Sequence, residues 1–135
     1  MPATHAIFVY GTLKRGFCRA HFLTGQLFLG DSRTLPQYRM FNCGTYPGLR
    51  PAPNDGLAIV GELWAVDSEC LARLDREEGV AEGLYARQRI ELDEPLPANP
   101  IPARVEAYFY LPSVLGFPDC GECWASNAFD SFRTP

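Results

Sequence analysis

Two adjacent carboxylates, Glu77 and Glu78, stand directly before Gly79 in this 135-residue chain. A carboxyl group that is partly buried beside apolar strands has a raised pKa and can then serve as a general acid and base. The same pair also suits a solvated acidic end of a helix, and the local sequence favours that simpler interpretation. The pair is therefore a candidate acid/base whose reaction is not set by the two residues alone.

A second candidate is the segment Tyr10-Gly11-Thr12-Leu13, which follows the apolar run 6–10. A glycine after a buried strand frees the following amides to face a ligand, and a small group of N–H donors suits a carboxylate or an oxyanion. A plain turn at the end of a strand is the competing interpretation. From local sequence alone, the plain turn is favoured.

Other residues that commonly carry chemistry are few or poorly placed. Neither histidine, His5 or His21, stands at metal-ligand spacing from a Cys, Asp or Glu, and no Gly-x-Ser-x-Gly or phosphate-loop pattern occurs. Cys120 and Cys123 form a Cys-x-x-Cys pair, but no second pair or nearby histidine completes a structural zinc site. Zinc or redox chemistry at these two thiols stays an alternative of a different class.

Composition and charge limit the classes of protein to which the chain can belong. With 47% hydrophobic residues, 12 glycines and 12 prolines, the chain is predicted to be one turn-rich domain over residues 1–135. Its net charge of −4 argues against a nucleic-acid partner. No apolar run reaches the roughly 18 residues of a membrane span, and the N-terminus lacks a signal-peptide pattern. The odd number of cysteines, 5, favours a reduced, cytoplasmic protein.

Hydrophobic periodicity predicts the elements that must position these residues. Strands are indicated at 6–10, 35–41, 57–66, 84–92 and 104–111, and short helices at about 19–27 and 68–76. Gly61, inside the third of these strands, indicates a bulge or a close approach by another backbone or a ligand. The segments 42–48 and 95–102 have the turn residues and prolines of loops. The set describes an α+β domain whose sheet curls toward a barrel.

Four segments form an ordered set across roughly residues 6–110. They are 8–16, which contains Tyr-Gly-Thr-Leu; 46–49, Tyr-Pro-Gly-Leu; 60–66, Val-Gly-Glu-Leu-Trp-Ala-Val; and 74–80, Leu-Asp-Arg-Glu-Glu-Gly-Val, followed by Tyr-Ala-Arg at 85–87. Together they resemble the γ-glutamylcyclotransferase superfamily, which includes γ-glutamylamine cyclotransferase and small AIG-type proteins. No single segment is decisive, but the order and spacing of all four are specific.

The resemblance implies a small mixed β-barrel of about five to seven strands with two or more short helices. It also implies a reaction without cofactor or metal, in which a γ-glutamyl amine, amide or peptide cyclises to 5-oxoproline and releases the amine. By motif position, Glu78 is the general acid/base. The implied substrate-binding residues are Tyr10, Gly11, Thr12, Leu13, Tyr85 and Tyr110. A non-catalytic small-molecule-binding module of the same fold is the alternative.

One departure concerns the position before the glutamate, which is often aromatic in the γ-glutamylamine branch and is Glu77 here. A second carboxylate raises the pKa of Glu78 if the two are close, and faces water if the turn separates them. The pocket itself is expected to be poor in water. Its predicted walls are Leu63, Trp64, Tyr85, Tyr108 and Tyr110.

Overall fold

The computed structural model describes residues 4–93 and 104–124, and over these ranges the fold is α+β. One sheet of seven strands is flanked by one α-helix and one 3-10 turn. The strands are β1 (Thr4–Val9), β2 (Leu27–Arg33), β3 (Tyr38–Asn42), β4 (Pro47–Pro51), β5 (Val60–Asp67), β6 (Tyr85–Arg89) and β7 (Val105–Tyr110). The helix α1 is Ser68–Glu77, and the 3-10 turn is Ala20–Leu23.

The sheet is mixed and branches at β7. Its strands follow the order β2-β5-β1-β7-β4-β3, and β6 pairs with β7 outside that path. Because antiparallel β6 takes one edge of β7 along most of its length, the parallel strands β1 and β4 share the other edge. There β1 pairs at Val105 and Glu106, whereas β4 pairs at Phe109. The chain therefore leaves β1 close to the start of β4.

The predicted barrel is not closed within the described residues. A barrel needs every strand to have two neighbours around a ring, whereas β7 has three partners and β2 and β3 are the two ends of the path. No ladder joins β2 to β3 in the ranges 4–93 and 104–124. The ring stays open because, among the described strands, β2 pairs only with β5 and β3 only with β4.

Five of the seven strands and α1 were predicted from periodicity, and two strands were missed. The predicted helix at 19–27 folds only as the short 3-10 turn, after which the chain enters β2. The predicted turn at 42–48 ends early, because β4 begins at Pro47. Proline is tolerated there since it is the first residue of the strand. The predicted loop 95–102 lies outside the described residues.

Gly61 confirms the predicted close approach of another backbone. A Cβ atom at this position would lie 2.4 Å from the carbonyl oxygen of Val9 and 2.6 Å from Cζ of Phe8. Only glycine lets β5 lie this close to the end of β1, its neighbour in the sheet. The register shift of the sheet lies elsewhere, between Phe28 and Gly30 of β2.

The sheet separates two layers of core side chains. On β1, Ala6 and Phe8 belong to one layer and Ile7 and Val9 to the other, as a strand buried on both faces requires. The second layer is covered by α1, whose buried residues are Cys70, Leu71 and Leu74. This packing brings the C-terminal end of α1 beside the loop that leaves β1. None of the helices in residues 4–93 and 104–124 has the length and apolarity to cross a membrane.

Candidate active site

The C-terminal end of α1 fixes the backbone at Glu78. Gly79 has a φ of +68°, and the amides of Val80 and Gly79 donate to the carbonyl oxygens of Asp75 and Arg76 at 3.0 Å and 3.1 Å. This pair of bonds is a Schellman motif, which favours glycine directly after the helix cap. The helix predicted at 68–76 is confirmed, and it ends at Glu77 with Glu78 as its cap.

The Glu78 carboxylate lies between the protein interior and an arginine. Its side chain is 13% exposed, and Arg19 donates from Nη1 to its Oε2 at 2.9 Å. Burial raises the pKa of Glu78 above its ordinary value of 4.5, and the charge and hydrogen bond of Arg19 offset only part of that rise. Glu77 is exposed, and its negative charge adds a smaller rise to the pKa of Glu78. Glu78 is therefore a more basic carboxylate than a free one.

The loop after β1 is anchored by a second buried carboxylate, Glu62 of β5. Arg15 donates to Glu62 from its backbone amide and from Nε, each at 3.0 Å. Trp64 donates from Nε1 to the same carboxylate at 3.1 Å. Three donors satisfy the charge that burial would otherwise make costly. The loop is thereby held against β5.

Three consecutive amides of this loop have no protein acceptor within the described ranges. The loop closes through Lys14, whose amide donates to the carbonyl oxygen of Gly11 at 3.1 Å, and the N–H groups of Gly11, Thr12 and Leu13 stay available. Gly11 does not have a positive φ. Glycine is required here because a Cβ would lie 2.5 Å from Cγ of Pro47. The predicted cluster of free amides is present, but the reason for the glycine is close packing on β4.

Two buried tyrosines fix the walls near these amides. Tyr10 donates its hydroxyl hydrogen to the carbonyl oxygen of Tyr108 at 2.6 Å, and Tyr85 donates to that of Pro47 at 2.7 Å. Burial raises the pKa of both phenols, so they are neutral at pH 7. Tyr110 packs edge-on against Tyr85 with ring centroids 5.4 Å apart.

Two adjoining cavities meet at Glu78. The inner cavity of about 20 Å³ has room for about one water molecule, and the outer one has about 450 Å³. The residues that line both are Thr12, Arg19, Tyr46, Glu78 and Tyr85. The remaining residues of the outer cavity are Cys18, Gly44, Thr45, Glu77, Leu84, and those of the inner cavity are Phe8, Val9, Tyr10, Gly11, Leu13, Pro47, Tyr108.

Most of the predicted site residues line these cavities, and three do not. Tyr110 lies behind Tyr85, and Leu63 and Trp64 lie in the core away from both cavities. Arg19 was not predicted, because a single basic residue in a segment without periodicity gives no signal. Tyr46 was missed although it begins the Tyr-Pro-Gly-Leu segment, so its position in that motif was an available signal.

The Cys-x-x-Cys pair lies apart from the cavities. Burial raises the pKa of Cys120 to about 11, so its thiol is protonated at neutral pH. Cys123 is exposed, and Nζ of Lys14 lies 3.7 Å from its sulfur. Nowhere in residues 4–93 and 104–124 do three or more Cys, His, Asp or Glu side chains form a group that could hold a metal. The described residues therefore give no support to zinc or redox chemistry at Cys120 and Cys123.

The fold and the two cavities describe a small α+β protein in which a buried carboxylate and a loop with free amides line the same cavity. The sequence model of the family described as "Gamma-glutamyl cyclotransferase, AIG2-like" matches residues 7–125. The chain belongs to this family. The resemblance found in the four sequence segments is therefore confirmed.

Similar proteins come from plants, bacteria and animals. A protein of Arabidopsis thaliana, provisionally named a gamma-glutamylcyclotransferase, is 44% identical over 101 residues, which are 67% of this chain and 53% of that protein. The match thus spans about half of the plant protein. The gamma-glutamylcyclotransferase family protein YtfP of Escherichia coli K12 is 38% identical over 87 residues, 63% of this chain and 71% of its own. The crystal structure of a mouse AIG2-like protein has a TM-score of 0.70 at 26% identity, covering 85% of this chain and 84% of that one.

Proposed function

We propose that the protein cyclises a γ-glutamyl amine, amide or peptide to 5-oxoproline, with Glu78 as the general acid/base. The observation that carries this proposal is the pairing of a buried, basic carboxylate with free loop amides across a cavity the size of one water. Membership of the cyclotransferase family supports the same reaction class.

The first step needs a base. The α-amino group of a γ-glutamyl compound has a pKa of about 8 and is mostly protonated at neutral pH, so it is not nucleophilic. Glu78 accepts one proton from this ammonium group, and burial, which raises the pKa of the carboxylate, makes that transfer more favourable. The free amine then attacks the γ-carbonyl carbon, and a new C–N bond closes a five-membered ring.

The second step needs oxyanion stabilisation and an acid. As the ring closes, negative charge develops on the former carbonyl oxygen, and N–H donors fixed in advance stabilise such charge strongly. The free amides of Gly11, Thr12 and Leu13 are suited to this oxygen or to the substrate's α-carboxylate. Collapse of the intermediate breaks the C–N bond to the leaving amine, which takes the proton from Glu78. The carboxylate then removes the second proton from the ring nitrogen, which leaves a neutral lactam, and passes that proton to the released amine, which departs as ammonium. Glu78 returns to its starting form.

The cavities provide the proximity that ring closure requires. Attack within one molecule gains a high effective concentration once the chain is held folded. The outer cavity, about 450 Å³ and partly walled by Tyr46 and Leu84, has room for both the γ-glutamyl head and the leaving group. The inner cavity, which lies beside the free amides, has room for about one oxygen atom of that head. The size of the outer cavity is compatible with an amine, an amide or a peptide.

The test is release of 5-oxoproline from γ-glutamyl amino acids, γ-glutamyl-ε-lysine and simple γ-glutamyl amines. We expect release by the wild type and a loss of at least about 100-fold in Glu78→Gln, the usual scale of a lost general acid/base. The control is Glu69→Gln, on the same helix but 91% exposed, which should match the wild type.

Other outcomes would contradict the proposal. Full activity in Glu78→Gln would mean that another group acts as the base, and Glu77 would be the next candidate. If no substrate reacts, a thermal shift by 5-oxoproline would indicate a binding module without turnover. If the protein shows no release and no thermal shift, γ-glutamyl chemistry in this pocket is ruled out.

A further inference from the structure

We propose that Arg19 is the positioning residue of the acid/base, because its guanidinium holds Oε2 of Glu78 and leaves Oε1 to exchange the substrate's proton. This inference rests on the proposed function and specifies which atom of the carboxylate carries it out.

Arg19 is fixed by the chain around it. Its backbone amide donates to the carbonyl oxygen of Thr12 at 2.9 Å, and the amide of Phe22 donates to the carbonyl oxygen of Arg19 at 3.1 Å. The residue is thus tied on one side to the loop with the free amides and on the other to the 3-10 turn. Its side chain is 34% exposed and lines both cavities. It is therefore not a freely rotating surface arginine.

The contact with Glu78 uses one carboxylate oxygen. Nη1 of Arg19 donates to Oε2 at 2.9 Å, while Nη2 donates to the backbone carbonyl of Glu77 at 3.4 Å. The guanidinium therefore spans the end of α1 instead of gripping both carboxylate oxygens. No hydrogen bond from the described residues reaches Oε1 of Glu78. Because Glu78 lines both cavities, Oε1 is the oxygen available to a ligand.

The same contact sets the charge around the acid/base. Within the described ranges, Arg19 brings the positive charge that acts on Glu78, and Glu77 of the same helix brings a negative one. Three other titratable neighbours are phenols at the end of β1, on β6 and on β7, and they are neutral at pH 7 because burial raises their pKa values: Tyr10, Tyr85 and Tyr108. Two more line a cavity with Glu78 from the loops, Cys18 and Tyr46. Loss of the Arg19 charge therefore leaves burial and Glu77 unopposed at Glu78.

Arg19→Gln removes the charge and shortens the side chain. We expect kcat to fall about tenfold with little change in KM, because the free amides and both tyrosines are untouched. The acidic limb of the kcat–pH profile should move to higher pH by about one unit. This is the low end of the pKa shift that a nearby opposite charge causes, because Arg19 is partly exposed to solvent. Arg19→Lys keeps the charge and should return this limb toward its wild-type position. The control is Arg73→Gln, which removes a 41% exposed arginine from α1 away from the cavities.

A second measurement keeps this inference separate from the proposed function. The Glu78 carboxyl carbon, followed by ¹³C NMR against pH, reports its pKa without any turnover. A higher pKa in Arg19→Gln, but not in Arg73→Gln, supports the role of Arg19 even if no γ-glutamyl substrate reacts. An unchanged pKa and an unchanged kcat–pH profile would overturn it. Should Arg19→Gln fail to fold, Arg19→Met decides, because it keeps an apolar stem and removes the charge. It should raise the pKa of Glu78, whereas a purely structural role predicts no change at matched folded fraction.

Discussion

Glu78 occupies a position that costs the folded protein some stability at neutral pH. Burial raises its pKa above 4.5 despite the Arg19 contact, so between 4.5 and the raised value the folded state binds more protons than the unfolded state. The contribution of Glu78 to stability is then fully present below pH 4.5 and is lost as pH rises through the folded-state pKa. The carboxylate that we propose as the acid/base therefore has a cost in stability at neutral pH.

Glu78→Gln should therefore gain stability over the wild type as pH rises. We expect the difference in Tm, variant minus wild type, to be more positive at pH 7 than at pH 4, by about 4 °C for on the order of 1 kcal/mol. Thermal unfolding of both proteins at the two pH values measures this. A difference that is the same at both pH values would mean that the carboxyl group is not buried in the folded state.

Gly11 is required by its neighbour and not by its backbone conformation. A Cβ there would lie 2.5 Å from Cγ and 2.8 Å from Cδ of Pro47, so Gly11→Ala should destabilise the protein by about 1–3 kcal/mol. Pro47→Ala removes both ring atoms, and the double variant should lose less than the sum of the two single changes. Urea unfolding of the three variants gives this coupling. Strict additivity would show that the two residues do not clash.

The sequence identified Glu78 and the loop at 10–13 because both stand in ordered motifs. Arg19 was out of reach, since its partner Glu78 is 59 positions away and no local pattern links the two. The reason for Gly11 was also out of reach. Its contact with Pro47 exists only because the loop after β1 and the start of β4 meet in the folded sheet.

At the scale of elements, a network of charges joins the end of α1 to β6 and β7. Arg87 of β6 donates to both carboxylate oxygens of Asp75 at 2.9 Å and 3.0 Å and to Glu106 at 2.6 Å. Tyr108 donates to Asp75 at 2.7 Å. Burial alone would raise the pKa of Asp75, but the bonds from Arg87 and Tyr108 outweigh it and hold the pKa below 3.8. The carbonyl oxygen of Asp75 also accepts the hydrogen bond that closes the turn at Gly79. The network therefore holds the end of α1, and with it Glu78, in a fixed position relative to β6 and β7.

Arg87→Gln should destabilise the protein by about 2 kcal/mol at pH 7. Breaking a fully buried ion pair would cost more, but the side chains of Asp75 and Glu106 are partly exposed to solvent. Asp75 contributes stability above pH 3.8 and loses it as pH falls through its lowered pKa, so the cost of the substitution should shrink in acid. Urea unfolding at pH 7 and pH 3 tests both points. Arg89→Gln is the control on the same strand, since Arg89 is 60% exposed. An equal effect of the two substitutions would contradict a positioning network.

Elements with a clear period were predictable, and elements defined by their partners were not. The α1 stripe of Leu71 and Leu74 and the alternation in β7 can be read from the chain itself. By contrast, β2 is half-exposed along its length, so it lacks an apolar face, and its pairing with β5 places it in the sheet. β4 has prolines at both ends and becomes a strand because β3 and β7 lie on either side.

At the scale of the molecule, the site is assembled where the sheet branches. β1 and β4 share one edge of β7, and their junction brings together the free amides after β1, Pro47 at the start of β4 and Tyr85 on β6. α1 packs on the core layer that contains Tyr85, and Glu78 directly follows this helix. The sequence predicted an α+β fold and a curled sheet, but not the branch at β7, because three partners for one strand leave no trace in a local pattern.

The proposed cyclisation differs from hydrolysis in the attacking group, which is the substrate's own amine and not water. Mass analysis of the products that the wild type forms from a γ-glutamyl amine in ¹⁸O-labelled water separates the two reactions most directly. We expect unlabelled 5-oxoproline and one equivalent of amine, with neither formed by Glu78→Gln above the uncatalysed rate. Glutamate carrying one ¹⁸O atom would show hydrolysis and would overturn the proposed cyclisation.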